Sequence, residues 1–143
     1  MKREIKFRAW DKEKGEWYAP THEAYKGNLW ELFVSFSGDL CAHRIGGMEH
    51  ESNFPDRYVL SQWTGLVDKS GKKIYEGDIL RVDEYRYKKG DYQGYLGTVE
   101  YCATCCAGYR LQMIKCANNE CLWNFSIVEV IGNVWQNPEL LTN

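Results

Sequence analysis

QWTGLVDKSGKKIYEGDIL, residues 62–80, holds two turn signatures inside alternating strand-forming residues. Asp68-Lys-Ser-Gly71 is the first and Gly77-Asp78 the second; Gly accepts the positive φ that tight turns need, and Asp caps free backbone N–H groups. Upstream, Arg57 to Thr64 (RYVLSQWT) is β-branched and aromatic, and downstream Ile79-Leu80-Arg81-Val82 resumes the pattern. Strand, turn, strand, turn, strand predicts a meander.

Working outward, residues 83–96 are a polar, tyrosine-rich loop, after which Thr98–Tyr101, Tyr109–Lys115 and Ser126–Trp135 have strand character, the last broken at Gly132. Asn137-Pro138-Glu139 opens at most one helical turn, with Asn as cap and Pro in the first position. Short strands separated by Gly-bearing turns predict a small β-barrel in the second half. On the amino-terminal side, Ile5–Ala9 alternates, DKEKGEW turns the chain and Trp17-Tyr18 returns it, an opening hairpin. Leu29–Phe36 predicts a further strand. From Leu40 the pattern fades into GGMEHESNFP, and Pro55 closes the best boundary in the chain. The expected division is therefore an N-terminal β-rich subdomain at 1–56 and a C-terminal barrel at 57–143.

A chain of 143 residues, 15% of them aromatic, can bury one ordinary core without staples and favours strands over helices. The net charge of -2 supplies no global field for polyanions or acidic membranes. MKREIKFRAW returns to charge before any secretory apolar run can form, and no stretch approaches the ~18 apolar residues of a membrane helix. The expectation is a soluble chain kept in a reducing compartment, with its thiols reduced.

Three segments, REIKFRAWD at 3–11, QWTGLVDKSGKKIYEGDIL at 62–80 and VEVIGNVWQNPELL at 128–141, closely resemble the YopX family of phage and prophage proteins of Gram-positive bacteria. The resemblance implies a mainly β protein with an SH3-like barrel in its C-terminal part, a homo-oligomer, expressed in the host cytoplasm. It implies no catalytic activity. Gly65, Gly71, Gly77 and Asp78 suit turns, and Val130, Ile131, Val134 and Trp135 suit a core. The functional alternative for the middle motif is that Tyr75, Glu76 and Asp78 line a pocket at the barrel rim.

YCATCCAGYRLQMIKCANNEC, residues 101–121, carries five of the six cysteines and no family pattern explains it. Cys102-x2-Cys105 and Cys116-x4-Cys121 could close around one zinc, which takes four thiolate or imidazole ligands. Against this, the second pair is looser than a standard knuckle and free Cys packs readily as a small hydrophobe. The expectation is a structural role without cofactor, with the zinc tetrad Cys102, Cys105, Cys116 and Cys121 as the competing arrangement. Cys41-Ala-His43 lacks an orienting third residue, and His22-Glu23 and His50-Glu51 lack the second His of HExxH. No catalytic residue is assigned, and an enzyme is not expected.

The loop Tyr85-Arg-Tyr-Lys-Lys-Gly-Asp-Tyr-Gln-Gly-Tyr95 interleaves aromatics with cations, and Tyr85, Arg86, Tyr87, Lys88, Lys89, Tyr92 and Tyr95 form a candidate binding surface. The leading reading is a non-enzymatic phage accessory protein that works by self-association and contact with an unknown phage or host protein. Its competitor is a single-strand nucleic-acid module, in which the tyrosines stack bases and the cations hold phosphates, with or without a structural zinc.

Overall fold

The computed structural model describes residues 2–23, 28–104 and 107–142. The protein is mainly β, and among the described residues there is no α-helix. The chain divides into two units, Arg8–Leu60 and Met1–Phe7 with Ser61–Asn143. The first seven residues, expected in the N-terminal subdomain, thus belong with the second half.

The strands in chain order are β1 (Phe7–Asp11), β2 (Glu16–Trp17), β3 (Thr21–Glu23), β4 (Asn28–Val34), β5 (Leu40–Arg44), β6 (Gly47–His50) and β7 (Tyr58–Val67). They continue as β8 (Lys73–Tyr75), β9 (Asp78–Tyr85), β10 (Leu96–Cys102), β11 (Gly108–Met113), β12 (Asn119–Cys121) and β13 (Phe125–Asn133). Single 3-10 turns lie at Glu51–Asn53, Leu122–Asn124 and Pro138–Leu141.

In the Arg8–Leu60 unit, the expected hairpin forms between β1 and β2, with Trp10 opposite Trp17. Asp11 shapes its turn: its Oδ1 accepts from the backbone N–H groups of Glu13 (3.0 Å) and Lys14 (3.3 Å). Strands β3 to β6 follow as an antiparallel meander. Its β5–β6 hairpin lies in the segment that the sequence reading left without pattern. There Leu40 and Ala42 alternate toward the interior, and a turn through Gly46 and Gly47, both at positive φ, returns the chain. His43 and Arg44 hide the alternation because they occupy the exposed half of the strand.

In the second unit, β7 and β8 form the expected hairpin, interrupted by an irregularity between Trp63 and Val67 that contains Gly65 at φ +89°. Strands β9 to β13 make one sheet in the order β12-β11-β10-β9-β13. Leu80, Val82, Val99 and Leu111 are buried on it with Ile74, Met113, Leu122, Phe125 and Val128. Burying each such side chain contributes about 1.5–3 kcal/mol before entropy is counted. Strand β12 and the extension of β9 to Tyr85 depart from the expected loop pattern, and β13 shows its predicted irregularity between Val130 and Gly132. On β9 and β13, Lys69 pairs with Asp83 (2.7 Å) and Glu129 (3.4 Å), while Arg81 pairs with Asp83 (3.3 Å) and also with Glu129.

The two turns of residues 62–80 are built as their composition suggests. Buried Asp68 closes the first: Oδ1 accepts from the backbone N–H groups of Ser70 and Lys72, both at 2.9 Å, and Oδ2 from that of Val130 at 3.0 Å. At the second, Gly77 has φ +82° and buried Asp78 accepts from the backbone N–H of Tyr75 at 2.8 Å. The Trp135 indole occupies the space where a Cβ of residue 77 would stand. At the carboxyl end Pro138 begins the expected helical turn, but Asn137 does not cap it; its Oδ1 accepts from the N–H of Asn133 instead.

Candidate functional site

The tyrosine loop divides into a packed half and an exposed half. Tyr85 and Tyr92 lean on the core: their ring centroids lie 5.0 Å apart, edge to face, and each also meets Phe125. Burial pushes both phenols above their ordinary pKa, so both stay protonated at neutral pH. Tyr92 holds φ +58°, a backbone state that a bulky residue adopts only when its surroundings fix it. These two residues therefore close the core rather than offer stacking faces. Sequence reasoning missed this because Phe125 is far away in the chain.

The exposed half comprises Arg86, Tyr87, Lys88, Lys89 and Tyr95. Lys88 meets Asp91 at 3.7 Å, an exposed pair of small energetic weight. Arg86 donates through Nε to the Trp123 carbonyl at 3.2 Å, and its guanidinium lies 4.5 Å from the Trp123 ring centroid. Trp123, not singled out in the sequence, is 63% exposed. Beside it is a cleft of about 150 Å³ with an apolar floor of Leu66, Ile74, Leu122, Phe125 and Val128. Val67 on its wall is 52% exposed.

In the cysteine segment, Cys105 and Cys106 lie outside the described residues, so the zinc tetrad is not placed as a whole. Cys102 is buried and disulfide-bonded, in contrast to the reduced thiols expected there, whereas Cys116 and Cys121 are free. Cys116 packs against the core of the second unit. Arg110 joins Glu100 at 3.1 Å and brings its Nη1 to 3.7 Å from the Cys102 sulfur.

The remaining candidates separate. Asp78 is spent on its turn. Glu76 lies beside it and accepts from the backbone N–H of Gln62 at 3.3 Å; burial pushes its carboxyl above the ordinary range against the pull of that N–H. His43 faces Glu31 at 4.0 Å, and the Cys41 thiol is 3.9 Å from the Asp39 carbonyl. The side chains of His22 and Glu23 lie outside the described residues. Asp39, His50 and Glu51 bring three potential ligand atoms within 4.8 Å of one another. His50 Nδ1, however, accepts from the backbone N–H of Ser52 at 3.2 Å. Its neutral ring then carries the proton on Nε2, facing Asp39 at 3.7 Å, and offers no vacant nitrogen.

A second cleft, of about 230 Å³, lies in the Arg8–Leu60 unit and has aromatic walls from Trp17, Tyr18, Trp30 and Tyr58. Arg57 stands within it and forms a paired contact with buried Asp11, Nε to Oδ1 at 3.3 Å and Nη2 to Oδ2 at 3.1 Å. The Trp30 indole donates to the Tyr58 hydroxyl at 2.8 Å, and the Tyr18 hydroxyl accepts from the Leu32 N–H at 2.9 Å. No local motif announces this cleft, since its residues are scattered between 11 and 58.

A family model described as YopX protein matches residues 6–142. The chain belongs to the YopX family. Among solved structures it is similar to protein EF1440 from Enterococcus faecalis, with 28% identity and a TM-score of 0.55 over 96% of this chain and 97% of that one. It is similar also to protein yopX from Bacillus subtilis, at 22% identity and a TM-score of 0.50 over 94% of each chain. The latter likeness concerns the fold alone. No curated protein matches. Among the described residues, no helix of this YopX-family chain is long and apolar enough to cross a membrane.

Proposed function

We propose that this YopX-family chain is a non-catalytic phage accessory protein of the host cytoplasm that acts through protein contacts, including contact with copies of itself. In this reading residues 57–143 are an SH3-like barrel serving as scaffold, a view supported by the β9–β12 meander and the return of β13 to β9. The observation that carries the reading is the pairing of exposed Trp123 and Val67 with an apolar cleft beside them. Large apolar side chains around a small pocket are how protein interfaces concentrate their energy. Sedimentation equilibrium over micromolar concentrations should give more than one chain per particle, and Trp123→Ala should lower the mass. A monomer throughout, together with no chain captured from host or phage lysate that Trp123→Ala releases, would sink the proposal.

Stacking of Arg86 on exposed Trp123 favours a second reading, single-strand nucleic-acid binding with Tyr87, Lys88 and Lys89 nearby. Its mark is a fluorescence-anisotropy shift with a labelled oligonucleotide that weakens as salt rises and is lost in Arg86→Ala. A flat titration at low salt removes it.

A further inference from the structure

The aromatic cleft of the Arg8–Leu60 unit has no part in the function proposed above, and its chemistry is specific. Its charged lining residues, Asp11, Glu16, Lys14 and Arg57, cancel, and Arg57 is further balanced by Glu13 at 3.3 Å. A charged ligand gains little in such a site; a neutral polar one keeps its hydrogen bonds without leaving a charge behind. The volume of about 230 Å³ accommodates one ring.

The ring geometry narrows the class. Tyr18 meets Tyr58 at an interplanar angle of 83°, Phe54 meets Tyr58 at 83°, and Trp30 meets Phe54 at 70°. Rings set edge to face leave no parallel pair to sandwich a flat heterocycle. They present single faces, which suit the C–H side of a puckered ring. The walls are also held before any ligand arrives, through the Trp30 to Tyr58 bond, the Tyr18 to Leu32 bond and the Arg57 to Asp11 pair. Preformed walls reduce the ordering cost of binding.

Donors remain for the ligand. The Tyr58 hydroxyl accepts from Trp30, and its own proton has no acceptor among the described residues. Burial keeps that phenol above its ordinary pKa, so the proton is retained. Arg57 uses Nε and one N–H of Nη2 on Asp11, which leaves Nη1, and exposed Glu16 offers an acceptor at the rim. We propose that this cleft binds a single neutral saccharide ring, its C–H face on the aromatic wall and its hydroxyls on Arg57, Tyr58 and Glu16.

The test is an amide chemical-shift titration of the full chain with glucose, galactose and N-acetylglucosamine, with adenosine and tetramethylammonium as comparators. At least one sugar should shift the Tyr18, Leu32 and Tyr58 amides saturably, with a Kd on the order of 1 mM as one ring of contact allows. Arg57→Lys, which keeps the charge beside Asp11 but loses the fork, should weaken that affinity about tenfold. Glu16→Gln, at an exposed position, should weaken it while leaving the spectrum of the free protein unchanged. Preferred binding of adenosine or tetramethylammonium, silence with all sugars, or equal affinity in both variants overturns the proposal.

Discussion

Asp68 shows how much one carboxylate can organise. Burial by itself would raise its pKa, but the N–H of Val130, the Ser70 hydroxyl and the N–H groups of Lys72 and Ser70 outweigh it and hold the group below its ordinary value. The folded state thus releases this proton at lower pH than the unfolded chain does. The stabilisation is complete above the unfolded pKa and disappears as pH falls through the folded one. Urea unfolding of Asp68→Asn at neutral pH should show a loss of about 1–3 kcal/mol, because an amide turns an N–H toward one of the donors. The gap between wild type and variant should close in acid; a constant gap would show that charge is not what matters. Glu76 has the opposite sign. Burial raises its pKa, so ionisation costs stability as pH rises from the unfolded value through the folded one. Glu76→Gln should therefore melt higher than wild type at neutral pH and equal to it in acid.

At the scale of elements, the Gly77 turn combines two demands that Gly71 separates. Both have positive φ, +82° and +86°, but a Cβ at 71 meets open space whereas one at 77 meets the Trp135 ring. Gly71→Ala should cost only the backbone strain, about 1 kcal/mol, and Gly77→Val should cost more, since Trp135 must also move. Thermal unfolding separates the two, and equal losses would show that the indole yields freely. These turns were legible because Asp and Gly act on their own neighbours. The β5–β6 hairpin was not, because Cys41, His43 and Arg44 have little strand character of their own and are placed by their pairing with β4 and β6. The packed half of the tyrosine loop was illegible for a related reason: composition distinguishes tyrosine from leucine, but only Phe125 decides which tyrosines turn inward. The saccharide cleft draws on Asp11, Trp30 and Arg57, whose meeting no local spacing encodes.

For the whole molecule, the cysteines set a limit on metal chemistry. With Cys102 already bonded to sulfur, a four-thiolate zinc site at Cys102, Cys105, Cys116 and Cys121 would first require reduction. Protein purified without chelator or reductant should carry well below one zinc per chain by elemental analysis. Stoichiometric zinc, lost together with folded structure in Cys102→Ser, would make the segment a metal-closed loop instead.

The placement of β9 has a consequence for the growing chain. Its neighbour β10 follows soon after it, but its other neighbour β13 leaves the ribosome only near the end, so one side of β9 waits with its hydrogen-bonding groups unmet. A waiting hydrophobic edge invites a neighbouring nascent chain, and charges are the usual guard. Arg81 and Asp83 alternate with Leu80 and Val82 along that strand, and they find Glu129 and Lys69 in the finished sheet. Their larger service is thus rendered before the fold exists: Arg81→Val with Asp83→Val should lower refolding yield at high concentration far more than it lowers the melting temperature.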